Sequence, residues 1–214
     1  MIEMWQDYYR YQRNKFRSRE YQRYLKNRKD RLINRDFSII ASNCNGAFMY
    51  RDLGLPYLSP TVNLAIEING FIKMVGNLEW YMEQEIVRIE GESKYPVGEL
   101  GGGIRINFVH YKSFEEAIQK WEERKRRIKW DNLYVVGTAR GDFCTYDTIR
   151  NFDKLPHKNK VIFTNVEYPE FQSAYYIRGF EEQSQLGVLV DYKKQFLLRR
   201  YLDDFDYVDF LNGL

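Results

Sequence analysis

The amino-acid sequence predicts an α/β protein of three layers, α/β/α, with a mostly parallel sheet and a basic helix at the N-terminus. Short apolar segments of the kind found in buried strands alternate with amphipathic helical segments, an order typical of βα units. The chain has 214 residues, of which 44% are hydrophobic and 17% aromatic. That composition is enough for the core of one packed domain.

The N-terminal segment differs in composition from the rest. Residues 1–35 carry eleven Lys or Arg and four acidic residues, a net charge of about +7. Residues 3–33 contain no Gly or Pro and place Tyr21 and Tyr24 at helical spacing. We therefore divide the chain into residues 1–35, a basic aromatic helix, and residues 36–214, a single α/β domain.

Three roles are open for this helix. It could lie on an anionic membrane surface through residues 3–33, or it could pack against the domain or a second subunit, as in a homodimer. Nucleic-acid binding ranks third, because the rest of the chain has no basic patch or reading motif. We expect no nucleic-acid partner.

The sequence also bears on cellular location. It has no apolar run of about 18 residues, and its N-terminus lacks the apolar core of a secretory signal. The two cysteines, Cys44 and Cys144, fit a reducing compartment. We expect a cytoplasmic protein, and contact with the membrane would place it at the inner face.

Hydrophobic periodicity predicts the elements of the remaining chain. Apolar runs predict strands at 37–41, 63–68, 86–89, 104–109, 133–137, 160–164 and 174–177. Apolar residues three and four apart predict helices at 69–84, 114–129, 145–152 and 201–211. Ser113 followed by Glu116 is a capping-box pattern for the second of these helices. The triplet 101–103 predicts a turn, and the stretch 51–63 with two prolines predicts an ordered loop.

Ligands of parallel α/β sheets bind beyond the carboxyl ends of the strands. The polar and reactive residues that follow four predicted strands are therefore site candidates: Asn43, Cys44, Asn45, His110, Tyr111, Thr138, Arg140, Asp142, Thr164 and Asn165. Arg51 and Asp52, in the predicted loop, are further candidates because sugar hydroxyls need planar polar partners.

Three of these residues are predicted to be catalytic. His110 would be a general base, with Asp142 fixing its tautomer, and Cys44 could be a nucleophile with His110 as its base. Arg140 would clamp an anion, and the other candidates would bind substrate. Each of these residues also has a purely structural alternative. His110 could be a structural histidine at a strand end and Cys44 a buried thiol. Arg140 could form a surface ion pair, and Asp142 could cap the helix at 145–152.

Several familiar signals are absent from the sequence. It has no phosphate-binding P-loop, no Gly-x-Gly-x-x-Gly turn and no Gly-x-Ser-x-Gly elbow. With two histidines and two cysteines, a structural zinc site is not expected, and no metal is assigned. The cofactor, if there is one, is unknown from the sequence.

Two runs of the sequence are distinctive: residues 37–46, FSIIASNCNG, and residues 50–61, YRDLGLPYLSPT. They resemble a bacterial family of uncharacterised proteins that are commonly labelled exopolysaccharide biosynthesis proteins. Shorter matching pieces follow in the expected order at 109–112, at Trp121 with 124–132, at 158–164 and at 173–177. The resemblance implies a three-layer α/β/α fold and a link to polysaccharide or capsule gene clusters. It carries no settled reaction or catalytic residues.

The expected function is therefore a transferase of exopolysaccharide or capsule biosynthesis that modifies or extends a membrane-linked glycan. Its partners would be a glycan or sugar-nucleotide substrate. The alternative is a non-catalytic glycan-binding or scaffold protein of the same pathway. A hydrolase that uses Cys44 with His110 is a third, weaker hypothesis.

Overall fold

A computed structural model describes residues 19–141, 144–193 and 199–214. The helix α1 covers 19–31 of the described residues. The elements that follow are, in chain order, β1 Ser38–Ala41, α2 Asn45–Leu53, β2 Ala65–Ile66, α3 Ile68–Gly76, α4 Leu78–Glu83, β3 Ile86–Arg88, β4 Val97–Leu100, β5 Ile104–Asn107, α5 Phe114–Lys125, β6 Leu133–Thr138, α6 Tyr146–Asp153, β7 Asn159–Thr164, β8 Ala174–Tyr176, a 3-10 turn Tyr201–Asp204, and α7 Tyr207–Asn212.

Four strands form a parallel sheet in the order β1-β6-β7-β8. Strands β6 and β7 each contain a continuous buried apolar run, Tyr134-Val-Val and Val161-Ile-Phe, as expected for strands that are covered on both faces. Ile40 is paired with Val135, and Val136 with Val161. The predicted fold class, with its parallel sheet between layers of helices, is confirmed.

Two clusters of buried side chains cover the two faces of this sheet. On one face, Ile40 and Val135 pack with α3, α6 and Trp121 of α5. On the other face, Ile39 and Val136 pack with side chains of α2 and α7. Neighbouring strand residues point to opposite faces, so each strand contributes to both clusters. The result is the three-layer arrangement.

A second sheet of four strands is antiparallel, in the order β2-β5-β4-β3. The sequence predicts His110 at the edge of the parallel sheet, and this prediction is wrong. His110 follows β5, which pairs with β2 and β4 in the antiparallel sheet. Strand β4 was not predicted, because Gly98 and Glu99 interrupt its apolar pattern.

Other boundaries also differ from the predictions. The predicted helix 69–84 is two helices, α3 and α4, which meet at Asn77. The predicted loop 51–63 was wrong at its start, because Arg51 and Asp52 belong to the last turn of α2, which ends at Gly54 in the left-handed conformation. Ser113 Oγ accepts a hydrogen bond from the Glu116 N–H, which confirms the predicted N-cap of α5.

Helix α1 packs on the domain through its aromatic side. Arg28 is 3% exposed, donates to the carbonyl oxygens of Asp203 and Phe205, and lies 3.9 Å from the centroid of the Tyr207 ring. Tyr21 contacts Tyr192 edge-on at 5.9 Å between centroids. Within 19–31 the packing role is therefore observed, and the exposed side of the helix is polar and basic. Residues 1–18 of the predicted helix lie outside the described residues.

Across 19–141, 144–193 and 199–214, no helix has the length and apolar character that crossing a bilayer requires.

Candidate functional site

The connection from β1 into α2 is held by polar side chains. Asn43 Oδ1 accepts from the Asn45 N–H at 3.0 Å, and Asn45 Nδ2 donates to Thr138 Oγ1 at 3.2 Å. The Thr138 N–H donates to Ser42 Oγ at 3.1 Å, so β1 and β6 are tied together where they end. Asn45 and Thr138 are buried, which gives these two candidates a structural role.

Gly46 brings α2 close to β1. A Cβ atom at this position would lie 2.8 Å from the Cβ of Ala41 and 3.1 Å from a methyl group of Ile39. Only glycine allows the helix to approach the strand this closely. The close packing of α2 on β1 thus explains why the run 37–46 ends in glycine.

The opposite side of α2 faces a small cavity. Cys44, Ala47, Phe48 and Arg51 follow the i, i+3, i+4, i+7 spacing of one helix face, and all four line the cavity. Its volume is about 220 Å³. We call it the α2 cavity.

Three residues from other elements complete the α2 cavity. Tyr57 and Asn63 come from the loop after α2, and His110 from the turn after β5. Asn63 has a φ of 64°, a left-handed conformation that asparagine tolerates better than most residues. His110 therefore lines the same cavity as Cys44 and Arg51, although its strand belongs to the other sheet.

Two arginine side chains, Arg51 and Arg124, flank the α2 cavity. The Arg51 guanidinium stacks on Phe48 at 4.2 Å from the ring centroid. Arg124 of α5 lies 5.2 Å from the Tyr57 centroid and donates to the Tyr111 hydroxyl at 2.6 Å. Over the described part of the chain, neither arginine has a carboxylate within ion-pair distance. Anionic groups of a ligand would therefore meet unneutralised positive charge.

Arg124 was not a sequence candidate. It lies in the last turn of the amphipathic helix α5 among Glu and Lys residues, where a charged side chain is usually part of the solvated surface. The hydroxyl of Tyr111, which Arg124 contacts, donates in turn to the Val62 carbonyl at 2.9 Å. Tyr111 thus links α5 to the loop that carries Asn63.

The thiol of Cys44 stays protonated at neutral pH and is therefore a weak nucleophile. Burial raises the pKa of its thiol to about 11, and Sγ lies 3.8 Å from the Leu64 carbonyl oxygen. Reactive cysteines require the opposite, a lowered pKa in an electropositive setting. We assign Cys44 to the wall of the cavity. We do not propose a hydrolase in which Cys44 is the nucleophile.

The structure does not bring the other strand-end candidates to the α2 cavity. Arg140 is exposed at the end of β6. Thr164 Oγ1 donates to the Val166 carbonyl at 2.7 Å, and Asn165 Nδ2 donates to the Gln183 carbonyl at 2.8 Å. Asp142, the predicted partner of His110, lies outside the described residues.

Asp52 points away from the cavity. It is 4% exposed, pairs with Arg200 and accepts a hydrogen bond from the Tyr207 hydroxyl at 3.1 Å. Its contacts are those of a core residue, although it neighbours Arg51 in sequence. Among the residues described, no three His, Cys, Asp or Glu side chains are placed to share a metal ion.

The fold and the site define an α/β protein with a parallel four-stranded sheet, an accessory antiparallel sheet and a cationic cavity beside the first helix of the domain. The chain belongs to the DUF1919 family, a domain of unknown function, whose profile matches residues 12–212. It is 42% identical over 193 residues to an uncharacterised protein of Haemophilus influenzae, covering 89% of this chain and 92% of that protein.

Proposed function

We propose that this protein is a transferase of exopolysaccharide or capsule biosynthesis that modifies or extends a membrane-linked glycan at the α2 cavity. The observation that supports this most is the meeting of an unpaired arginine, an imidazole, an amide and an aromatic ring around one cavity. These are the groups that a phosphorylated sugar substrate requires. The resemblance to proteins labelled for exopolysaccharide biosynthesis supports the pathway.

The size of the cavity suggests which part of the substrate it holds. Its volume of about 220 Å³ is below the range of roughly 300–1,000 Å³ that is usual for whole ligands. We therefore assign it the reacting end of a sugar nucleotide, with the remainder extending over the neighbouring surface. The exposed Arg51 would contact the diphosphate, since its planar fork can bind two oxygens at once.

In this proposal His110 is the general base. An acceptor hydroxyl forms a bond to the anomeric carbon of the donor sugar as the bond from that carbon to the nucleoside diphosphate breaks. The hydroxyl proton passes to His110, and the diphosphate departs with the bonding electrons, its charge stabilised by Arg51. Asn63 and Tyr57 would orient the sugar through its hydroxyls and its ring face.

The second candidate is a non-catalytic glycan-binding or scaffold protein of the same pathway. One observation favours it: across the described residues, His110 has neither a hydrogen bond nor an ion pair that would orient its ring. A scaffold needs the cavity but not a tuned base.

A turnover assay separates the two candidates. Purified protein is incubated with a panel of sugar nucleotides and a lipid-linked glycan acceptor, and release of nucleoside diphosphate is measured. We expect release by the wild type and by His157→Gln, and none by a folded His110→Ala variant. His157 is the matched control because its ring contacts the Val75 carbonyl, remote from the cavity lining.

Turnover by His110→Ala would remove His110 from the mechanism, and saturable glycan binding without any turnover would favour the scaffold.

The proposed location at the inner face of the membrane now depends on the exposed side of α1. Arg19, Arg23 and Lys26 lie at i, i+4, i+7 and form one basic stripe. Because the aromatic side of α1 is packed on the domain, the proposed contact with anionic lipid is electrostatic and not insertive. It would keep the α2 cavity near lipid-linked substrates.

A further inference from the structure

A second cavity, which shares no lining residue with the α2 cavity, lies between α4 and the end of α5. Its volume is about 400 Å³, within the usual range for a small ligand of roughly 300–1,000 Å³. It is lined by Glu79, Met82, Glu83, Lys125, Arg126 and Trp130. We call it the Trp130 groove.

The two sides of the groove carry opposite charge. Glu79, Met82 and Glu83 follow the i, i+3, i+4 spacing of one face of α4, so both carboxylates come from the same wall. Lys125 and Arg126 come from the end of α5 on the other wall. Met82 and the 41% exposed Trp130 supply the apolar surface.

Three of these four charged side chains form no ion pair among the described residues. Throughout the described part of the chain, Glu79 and Glu83 have no cation within ion-pair distance and Arg126 has no carboxylate. Of the four charged residues that line the groove, only Lys125 has an ion-pair partner within the described ranges, Glu122 at 2.7 Å. Opposite charges thus line one groove without pairing, and a ligand that carries both signs would satisfy them.

We propose that the Trp130 groove binds a small zwitterion that carries an ammonium group and a phosphate, the class of phosphocholine and phosphoethanolamine. The ammonium group lies against Glu79, Glu83 and the indole of Trp130, the aromatic side chain that attracts cations most strongly. The phosphate lies against Arg126, whose guanidinium binds phosphate oxygens in pairs. This assignment does not depend on the proposed transferase activity.

The charge pattern selects this ligand class over others. A neutral saccharide could stack on Trp130 but would leave both carboxylates and the guanidinium without charged partners. A purely anionic ligand would be repelled by Glu79 and Glu83, and a purely cationic one would be repelled by Arg126. A second copy of this chain would also present both signs, so dimerisation is an outcome that the experiment must separate.

The experiment titrates the full chain with phosphocholine, phosphoethanolamine, choline and inorganic phosphate. Calorimetry gives affinities, and the indole N–H signals in nitrogen-15 NMR spectra report on each tryptophan. We expect saturable binding of a zwitterion with a shift of the Trp130 signal, and much weaker binding of choline and of phosphate alone. Vesicles that display the same headgroups distinguish a lipid source from a free metabolite, and binding in either form supports the site.

Variants locate the site. We expect Trp130→Ala and Glu83→Gln each to weaken zwitterion binding about fivefold to tenfold. Arg126→Ala should weaken phosphocholine binding but strengthen the weak binding of choline, because it removes the charge that repels a cation. Trp80→Ala and Arg127→Ala are the matched controls, because both residues are exposed but do not line the groove, and they should bind as the wild type does.

Three results would overturn the proposal. They are the absence of saturable binding by any zwitterion, equal affinity in the wild type and a folded Arg126→Ala variant, and a Trp130 shift that depends on protein concentration and not on ligand. The third would assign the groove to a contact between two copies of the chain.

Discussion

Asp52 and Arg200 form an ion pair in the interior of the protein, with both side chains 4% exposed. Asp52 lies on the inner face of α2, one residue from Arg51 on the outer face, and Arg200 is also paired with Asp203 at 2.8 Å. The pair therefore connects the helix that bears the α2 cavity to the C-terminal segment. Through Asp203, whose carboxylate is 3.7 Å from Arg28, the same network reaches α1.

Breaking this pair should destabilise the fold. Asp52→Asn leaves the Arg200 guanidinium with one carboxylate in place of two, and we expect the free energy of unfolding to fall by about 3 kcal/mol. Urea denaturation measures the change. Arg31→Gln is the control, because Arg31 pairs with Asp206 and Asp209 at the surface, where a pair contributes less than about 1 kcal/mol. Equal losses in the two variants would contradict the role assigned to the buried network.

Gly46→Ala tests the close approach of α2 to β1. Alanine normally stabilises a helix relative to glycine, but here its Cβ would lie 2.8 Å from Ala41. We expect a loss of about 1–3 kcal/mol from overpacking, together with weaker ligand binding at the displaced α2 cavity. At Gly76 of α3 the nearest atom to an added Cβ is 3.6 Å away, so Gly76→Ala should be neutral or slightly stabilising. A stable Gly46→Ala variant would show that α2 can move without cost.

The parallel sheet could be predicted because its central strands contain continuous apolar runs. Strands β6 and β7 carry Tyr134-Val-Val and Val161-Ile-Phe, runs that are typical of a sheet covered on both faces. Helix α2 could not be predicted in the same way. Its buried positions include Asn45, Gly46 and Asp52, whose burial depends on partners distant in sequence.

The candidate site was only partly predictable for a related reason. The sequence predicts Cys44, Arg51 and His110 as site residues because they lie near strand ends or in a loop, and all three line one cavity in the structure. The periodicity of 104–109 predicts a strand, but it does not show that this strand belongs to an antiparallel sheet that carries His110 to the cavity. Arg124 was missed because its contacts with Tyr57 and Tyr111 join residues that are far apart in the chain.

The two thiols should react slowly in the folded protein. Burial raises the pKa of Cys44 and of Cys144 to about 11, so both remain protonated near neutral pH. We expect alkylation by iodoacetamide at pH 8 to be at least about tenfold slower in the folded protein than in urea, where thiols ionise near pH 8.5. Mass spectrometry of quenched samples measures both rates. Rapid modification of folded Cys44 would restore it as a candidate nucleophile.

The raised pKa values of Cys44 and Cys144 should make the stability of the fold depend on pH in the alkaline range. Between about pH 8.5 and pH 11 the unfolded chain ionises its thiols while the folded chain does not. The unfolded state thus releases protons first, and the free energy of unfolding should fall as the pH rises through that window. Replacing both cysteines with serine should reduce this fall.

Binding of anionic vesicles tests the basic stripe of α1. We expect the full chain to cosediment with vesicles rich in anionic lipid at low salt, and to be released at high salt because the contact is electrostatic. Changing Arg19, Arg23 and Lys26 to Gln should weaken this binding several-fold. Changing Arg105, Lys120 and Arg127 to Gln removes the same charge elsewhere and serves as the control. Equal effects of the two triple variants would show that total charge, and not the stripe, determines binding.

A crystal structure of the protein with a bound sugar nucleotide, such as UDP-glucose, would show where the donor lies. The proposed function places the diphosphate within hydrogen-bonding distance of Arg51 and the anomeric carbon beside His110, in the α2 cavity. A donor held instead at the ends of β6 and β7, beside Thr138 and Arg140, would contradict the assignment of the α2 cavity as the transfer site.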